Sequence, residues 1–256
     1  MREHLYPERM TATDSRVRSV RSWGAGTCAV VRLLIALDQP ITGMAIAREV
    51  GVTQPRVSQV LAQLSEKGAV AASPQGYTGD AARLLDLYLT NAKPHLAEPQ
   101  SYWYSTRPLM DQARRVLDTA KMSQVRIAFS ADLGPDLLTP WRHPTLTIVY
   151  SDGPIPLEES GMVPAVGRAD ASLVLRITKE PANLSATPPW CADAEGLPMA
   201  DPAQQWWDLK DLGGEDRDEA ADRLRQSIID RALPRIPPSV EQSDHGPSAS
   251  ITRDWM

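Results

Sequence analysis

The sequence predicts an α+β protein: an N-terminal winged helix-turn-helix followed by a larger α+β domain with a small sheet and flanking helices. Three observations predict it. Residues 29–67 hold three short helical patterns, and only a brief turn separates the second from the third. Residues 69–78 read as a short hairpin. Beyond residue 102, alternating segments rich in β-branched residues interleave with helical ones.

Taken in order, residues 1–22 are polar, arginine-bearing and without periodicity, as expected of a flexible basic arm. Residues 29–37 (AVVRLLIAL) form a nearly continuous apolar helix that ends before Pro40. Thr42 can cap a second helix, Gly43 to Val50, and Gly51 stops it. A third helix begins near Thr53 and runs to Lys67, where Gly68 ends it. Ala47 is small enough for two steeply crossed helices to approach closely. Ile46, Val50, Val52, Val57 and Val60 fill the five apolar positions around such a corner. Val57, Val60, Leu61 and Leu64 recur at helical spacing and define a buried face. Thr53, Gln54, Arg56, Ser58, Gln59 and Gln63 then lie on the exposed side, as candidate DNA-binding residues. Arginine pairs with guanine and glutamine with adenine in the major groove, and Ser or Thr near a helix start can hold phosphate. An amphipathic hairpin with no role in DNA is the bland alternative. A merely solvated face usually carries Lys/Glu pairs, whereas this one carries only Arg56 and Glu66.

The hairpin, Ala69–Ser73 and Tyr77–Thr78 around Pro74-Gln75-Gly76, would be the wing, and it has no Lys or Arg. Arg16, Arg18 and Arg21 are candidate DNA contacts from the arm, weighed equally against a solvated leader. Asp80 can cap a helix over 81–92, with Leu84, Leu85, Tyr88 and Ala92 on one face. The DNA-binding domain is thus expected over 23–92. Residues 93–101 (KPHLAEPQS) read as a linker, 102–233 as the α+β domain, and the Pro- and Ser-rich 234–256 as a disordered tail. Within 102–233 the spacing predicts a helix over 107–121, a strand over 124–130, a short helix over 131–138, and strands over 145–151 and 172–178. Asp201 with Pro202 starts a helix over 203–212, Gly213-Gly214 ends it, and a last helix runs over 216–232.

Composition bounds the function. The chain has 256 residues, two cysteines, four histidines, and seven tryptophans against one phenylalanine. That excludes a disulfide framework, makes a structural zinc site improbable, and leaves tryptophan to supply much of the aromatic packing. No apolar run approaches the roughly 18 residues of a membrane span, and no signal-peptide core opens the chain, so a cytoplasmic location is expected. Net charge is −5, made of +2 over residues 1–90 and −7 over the rest. The basic character therefore sits at the front.

Enzyme readings fail on their ligands. Ser130-Ala131-Asp132 follows a strand, where a nucleotidyltransferase would begin its site. Ser151-Asp152-Gly153 offers only one acid at the later strand, so the metal pair such chemistry needs is lacking. His143 reads as a loop histidine, Cys28 as core, and Cys191 has no activating neighbour. No catalytic residue, metal or cofactor is expected. Arg114 and Arg115 on the 107–121 helix, and Trp206 with Trp207 on the 203–212 helix, are candidate partner contacts. A solvated face and core packing are their respective alternatives. Adjacent helical residues point about 100° apart, so one tryptophan is expected to be buried and the other partly exposed.

Several blocks carry a resemblance. They are the strand Val125–Ser130, the helix with Leu137 and Leu138, the loop Pro140-Trp141-Arg142-His143-Pro144, the strand Thr147–Tyr150, and ADPAQQWWDLKDLGGEDRDEAADRL over 200–224. With the winged helix, these resemble AbiEi-type proteins, the antitoxins and transcriptional repressors of type IV toxin–antitoxin (abortive infection) systems. The resemblance covers roughly residues 28–232, and the short unbasic wing departs from it. It implies a repressor of its own operon, binding a double-stranded operator, and a functional partner of the nucleotidyltransferase-like toxin class. A helix-turn-helix usually acts as a dimer on an inverted repeat, so a homodimer on DNA is expected. The alternative function is a one-component regulator whose C-terminal domain senses a small molecule; a third is an interaction module with no role in DNA.

Overall fold

A computed structural model describes residues 22–92, 99–134, 144–178, 184, 193–194 and 196–233. The protein is mixed α+β. Among the described residues it has seven α-helices, a two-stranded hairpin, a five-stranded sheet and a short two-stranded ribbon.

The first helix, α1 (Ala25–Ala36), carries the long apolar run and is buried on most sides. Helix α2 (Gly43–Val50) starts where Thr42 Oγ1 accepts from the Ala45 amide at 3.2 Å. It stops at Gly51, whose φ of 71° and ψ of 29° are left-handed, a conformation that costs glycine nothing. The Gly51 and Val52 amides both donate to the Ala47 carbonyl, at 3.0 and 3.1 Å. The chain then turns into α3 (Gln54–Glu66), with Pro55 in its first turn. Ile46, Val57 and Val60 are buried at the corner, and Ala47, Val50 and Val52 pack partly buried against them. Ala47→Leu is expected to force α2 and α3 apart and cost about 1–3 kcal/mol by overpacking. Urea unfolding checks this, and an unchanged midpoint would contradict the close crossing.

Strands β1 (Val70–Ser73) and β2 (Gly76–Gly79) form the hairpin. Ile41, between α1 and α2, exchanges backbone hydrogen bonds with Tyr77 at 3.0 and 2.9 Å, adding a third line of pairing. Gly76 makes this possible: its φ is +134°, and a Cβ there would lie 2.5 Å from the Ile41 carbonyl oxygen. Helix α4 (Ala81–Asn91) begins where Asp80 Oδ1 accepts from the Arg83 amide at 3.1 Å, and it buries Leu84, Leu85 and Tyr88.

A strand replaces the end of the expected linker. β3 (Gln100–Tyr104) begins inside 93–101 and is an inner strand of the large sheet. Its residues are half-buried at most, and Pro94 and Pro99 precede it, so it lacks the apolar signature of a core strand. Residues 93–98 lie outside the described residues. Helix α5 (Leu109–Met122) buries Leu109, Ala113, Val116, Leu117 and Ala120, the expected face.

Strands β4 (Ile127–Ala131), β5 (Thr147–Ser151), β6 (Val163–Pro164) and β7 (Leu173–Ile177) complete the sheet, in the order β4-β5-β7-β3-β6. β5 and β7 are parallel and the other neighbours antiparallel. β8 (Asp193–Ala194) and β9 (Leu197–Pro198) form the ribbon. Ala131 closes β4, so the helix expected over 131–138 can start only after it; residues 135–140 lie outside the described residues. On one face of the sheet Phe129, Val149, Leu173 and Leu175 pack with α5. On the other, Ala128, Ile148, Tyr150 and Val174 form a second apolar layer.

Helices α6 (Pro202–Leu212) and α7 (Glu215–Ile229) correct the expected division of the chain. They were read with the larger domain, yet Ala203, Trp206, Trp207, Leu209, Ala220, Leu224 and Ile228 share one core with α1, α3 and α4. Arg231 then donates to the carbonyls of Ile35 and Leu37 at the end of α1. Every residue from Pro202 to Leu209 is buried, so the first two turns of α6 are enclosed on all sides, while Asp211 in the last turn is exposed. No helix among the described residues is long and apolar enough to cross a membrane.

Candidate nucleic-acid interface

Thr53, just before α3, and Gln54, Arg56, Ser58, Gln59 and Gln63 within it, the six residues singled out from the sequence, are all exposed. The opposite side of the helix is locked into the core by Val57, Val60, Leu61 and Leu64. At 100° per residue, Pro55, Gln59, Ala62 and Glu66 point most directly outward, with Ser58 on one flank and Arg56 and Gln63 on the other, beside α1. Gln54 Nε2 donates to Ser58 Oγ at 3.3 Å. Arg56 is turned toward α1: its Nη2 donates to Thr27 Oγ1 at 2.8 Å and its Nη1 to Gln59 Oε1 at 3.5 Å. The Thr27 contact is long-range, and nothing in the local spacing of α3 foretells it.

The remaining sequence candidates fare differently. Arg16, Arg18 and Arg21 lie outside the described residues, as do His143 and Cys191. The hairpin tip, Ser73 to Gln75, is exposed and uncharged. Arg114 and Arg115 are exposed on α5. Trp206 and Trp207 are both buried, at 2% and 5% exposure, so neither presents a contact surface. The rule that one of two adjacent helical residues faces solvent assumes a helix packed on one side, and α6 is packed on both.

The most concentrated polar chemistry was missed in the sequence and lies inside the molecule. Ser130, Tyr150 and Arg176 stand on one face of neighbouring strands, and register places Tyr150 beside Arg176. All three converge on Asp208 of α6. Ser130 Oγ donates to its Oδ2 at 2.5 Å, and the Tyr150 hydroxyl and Arg176 Nη1 each donate to its Oδ1 at 2.8 Å. Gln204, one turn earlier, donates to the Tyr150 hydroxyl at 2.9 Å and accepts from the Tyr88 hydroxyl of α4 at 2.8 Å. Tyr88 in turn accepts from Arg32 of α1 at 3.0 Å, and Arg32 pairs with Asp201 at 2.8 Å. One hydrogen-bonded chain thus runs from α1 through α4 and α6 to the sheet.

Burial pushes the Asp208 and Asp201 carboxyls above the usual carboxylate range, against the pull of Arg176 and Arg32 respectively. Burial likewise raises both tyrosine hydroxyls well above their ordinary value, so they stay protonated as donors. The signal for this network was faint but present. Arg32 is the lone charge in AVVRLLIAL and Arg176 the lone charge in SLVLRIT.

Ser130 and Asp132 of the Ser-Ala-Asp stretch are both engaged in interior pairing. Ser130 serves Asp208. Asp132 takes a bidentate pair from Arg217 of α7, at 2.8 and 3.0 Å, plus the amides of Thr145 and Leu146 at 3.1 Å. Asp152 pairs with Arg126 at 2.8 Å, and those hydrogen bonds hold its carboxyl below the usual range. No known family model matches this chain, and no curated protein matches it in sequence.

Proposed function

We propose that residues 23–92 are a winged helix-turn-helix and that the protein is a DNA-binding transcriptional repressor reading its operator with the outward face of α3. The observation that carries this is the set of exposed polar side chains Gln54, Ser58 and Gln59 on a helix whose other face is locked against α1 and α2. The left-handed Gly51 between α2 and α3 supports it. So does the pairing of Ile41 with β2, which joins the hairpin to the segment between α1 and α2. The site is a helix presented on a rigid corner, as major-groove reading requires. The wing adds no cation, so the proposed DNA contacts are those of α3 together with Arg16, Arg18 and Arg21 of the arm.

The partner half of the proposal rests on the resemblance of residues 28–232 to AbiEi-type antitoxins. On that reading the protein represses its own operon, as a homodimer on an inverted repeat, and counters a nucleotidyltransferase-like toxin. With Trp206 and Trp207 enclosed, the exposed Arg114 and Arg115 are the remaining candidates for partner contact. Fluorescence anisotropy with the duplex upstream of its own coding sequence, against scrambled DNA across a salt series, tests the repressor half. Selective binding that weakens with salt is the expected result. Equal affinity for both duplexes would refute autoregulation. Co-expression with the adjacent toxin should restore growth, and no rescue would refute the antitoxin half.

A further inference from the structure

We infer that the operator half-site is read at A·T pairs, with Gln59 taking an adenine and the Pro55–Ala62 surface lying against thymine methyl groups. This rests on the proposal that α3 enters the major groove, and goes beyond it by naming the base pairs.

The buried stripe of α3 is Val57, Val60, Leu61 and Leu64. Helical geometry places Pro55, Gln59, Ala62 and Glu66 most nearly opposite it. The row therefore offers a base, in order, an apolar ring, a carboxamide, a methyl group and a carboxylate. A recognition helix reads with its N-terminal turns, so Pro55, Gln59 and Ala62 lie deepest, Ser58 stands on their flank and Glu66 sits toward the far end. The Gln59 amide has one donor and one acceptor side by side. They match N7 and the N6 amino group of adenine, which no other base presents in that order. Thymine is the base with a methyl group in the groove, and Pro55 and Ala62 can meet it without leaving a polar atom unpaired.

Guanine is read most often by the fork of an arginine or by a lysine. Within α3 the single basic residue is Arg56. It stands on the flank rather than the ridge, and its guanidinium is anchored to Thr27, a buried hydroxyl of α1, at 2.8 Å. Its other contact, to Gln59 Oε1, is at the 3.5 Å limit of a hydrogen bond, weak enough for an adenine amino group to displace. Gln54 and Ser58 are bonded to one another and supply a hydroxyl and an amide, neither of which selects guanine. The hairpin tip supplies no cation either. The chemistry of the whole outward surface is thus that of an adenine–thymine reader.

Selection of duplexes from a randomised library by the full-length protein tests this. The expected result is an enriched core of A·T pairs. In that core, uracil in place of the enriched thymine, which removes only the methyl group, should weaken binding several-fold. 7-Deazaadenine in place of the enriched adenine, which removes the N7 acceptor and keeps the N6 amino group, should weaken it toward the lower end of the about five- to 150-fold range of a lost bidentate pair. Gln59→Ala should lose the adenine preference to the same extent; Gln59 is exposed, and an unchanged melting temperature verifies its fold. An enriched core of G·C pairs would overturn the inference, as would a guanine preference that disappears in Arg56→Ala. A library with no enriched sequence would overturn the DNA-reading proposal itself, and this inference with it.

Discussion

Asp208→Ala is expected to destabilise the protein by about 3–5 kcal/mol, the cost of stranding one partner of a buried ion pair. Asp208 is fully enclosed and takes donors from Ser130, Tyr150, Arg176 and Gln204. Removing the carboxylate leaves the Arg176 charge at 3% exposure with the neutral Tyr150 hydroxyl at 3.1 Å and, among the described residues, the more distant Asp211 at 3.7 Å as its ionic partner. It also leaves the Ser130 and Tyr150 hydroxyls without their acceptor. The loss is a large part of the roughly 5–15 kcal/mol that holds a typical domain together. The double variant Arg176→Met, Asp208→Leu is expected to recover part of it, because no buried charge is left unpaired, although the Ser130 and Tyr150 hydroxyls still lack their acceptor. Urea unfolding of both variants checks this. A loss under about 1 kcal/mol in Asp208→Ala would mean the four donors do not depend on it.

Trp206→Ala is expected to cost about 3–5 kcal/mol, the usual range for emptying a buried tryptophan site. Trp206 lies at 2% exposure in the core shared by α1, α3, α4, α6 and α7. The variant should lower the stability of the N-terminal helices and of the sheet together, in one transition seen alike by circular dichroism and tryptophan fluorescence. Two transitions, with the N-terminal helices melting at the wild-type midpoint, would contradict a common core. By the same reasoning a fragment ending at residue 92 should not fold, since it exposes Val30, Leu34 and Leu85 and leaves Arg32 without Asp201.

What was legible in the sequence was whatever depends on near neighbours. Thr42, Gly51, Asp80 and Asp201 mark helix ends through bonds spanning three or four residues, and each stands where the spacing put it. The buried stripe of α3 and the face of α5 follow from helical period alone. What was not legible depends on partners far along the chain. β3 is held by β7, some seventy residues later, and its own residues are too exposed to announce a core strand. The enclosure of α6 comes from elements on both sides, so the alternation expected of Trp206 and Trp207 could not hold. Within the candidate interface, the exposed row of α3 was readable, whereas the diversion of Arg56 to Thr27 was not, because it joins residues 29 positions apart.

DNA reading by the outward face of α3 is the proposal on which the function rests. The most direct measurement compares wild type with the triple variant Gln54→Ala, Ser58→Ala, Gln59→Ala on the duplex upstream of the coding sequence and on scrambled DNA. All three side chains are exposed, so the melting temperature should be unchanged within a degree or two. Wild type should prefer its upstream duplex, and the variant should bind both duplexes equally and weakly. A folded variant that keeps the wild-type preference would contradict the proposal.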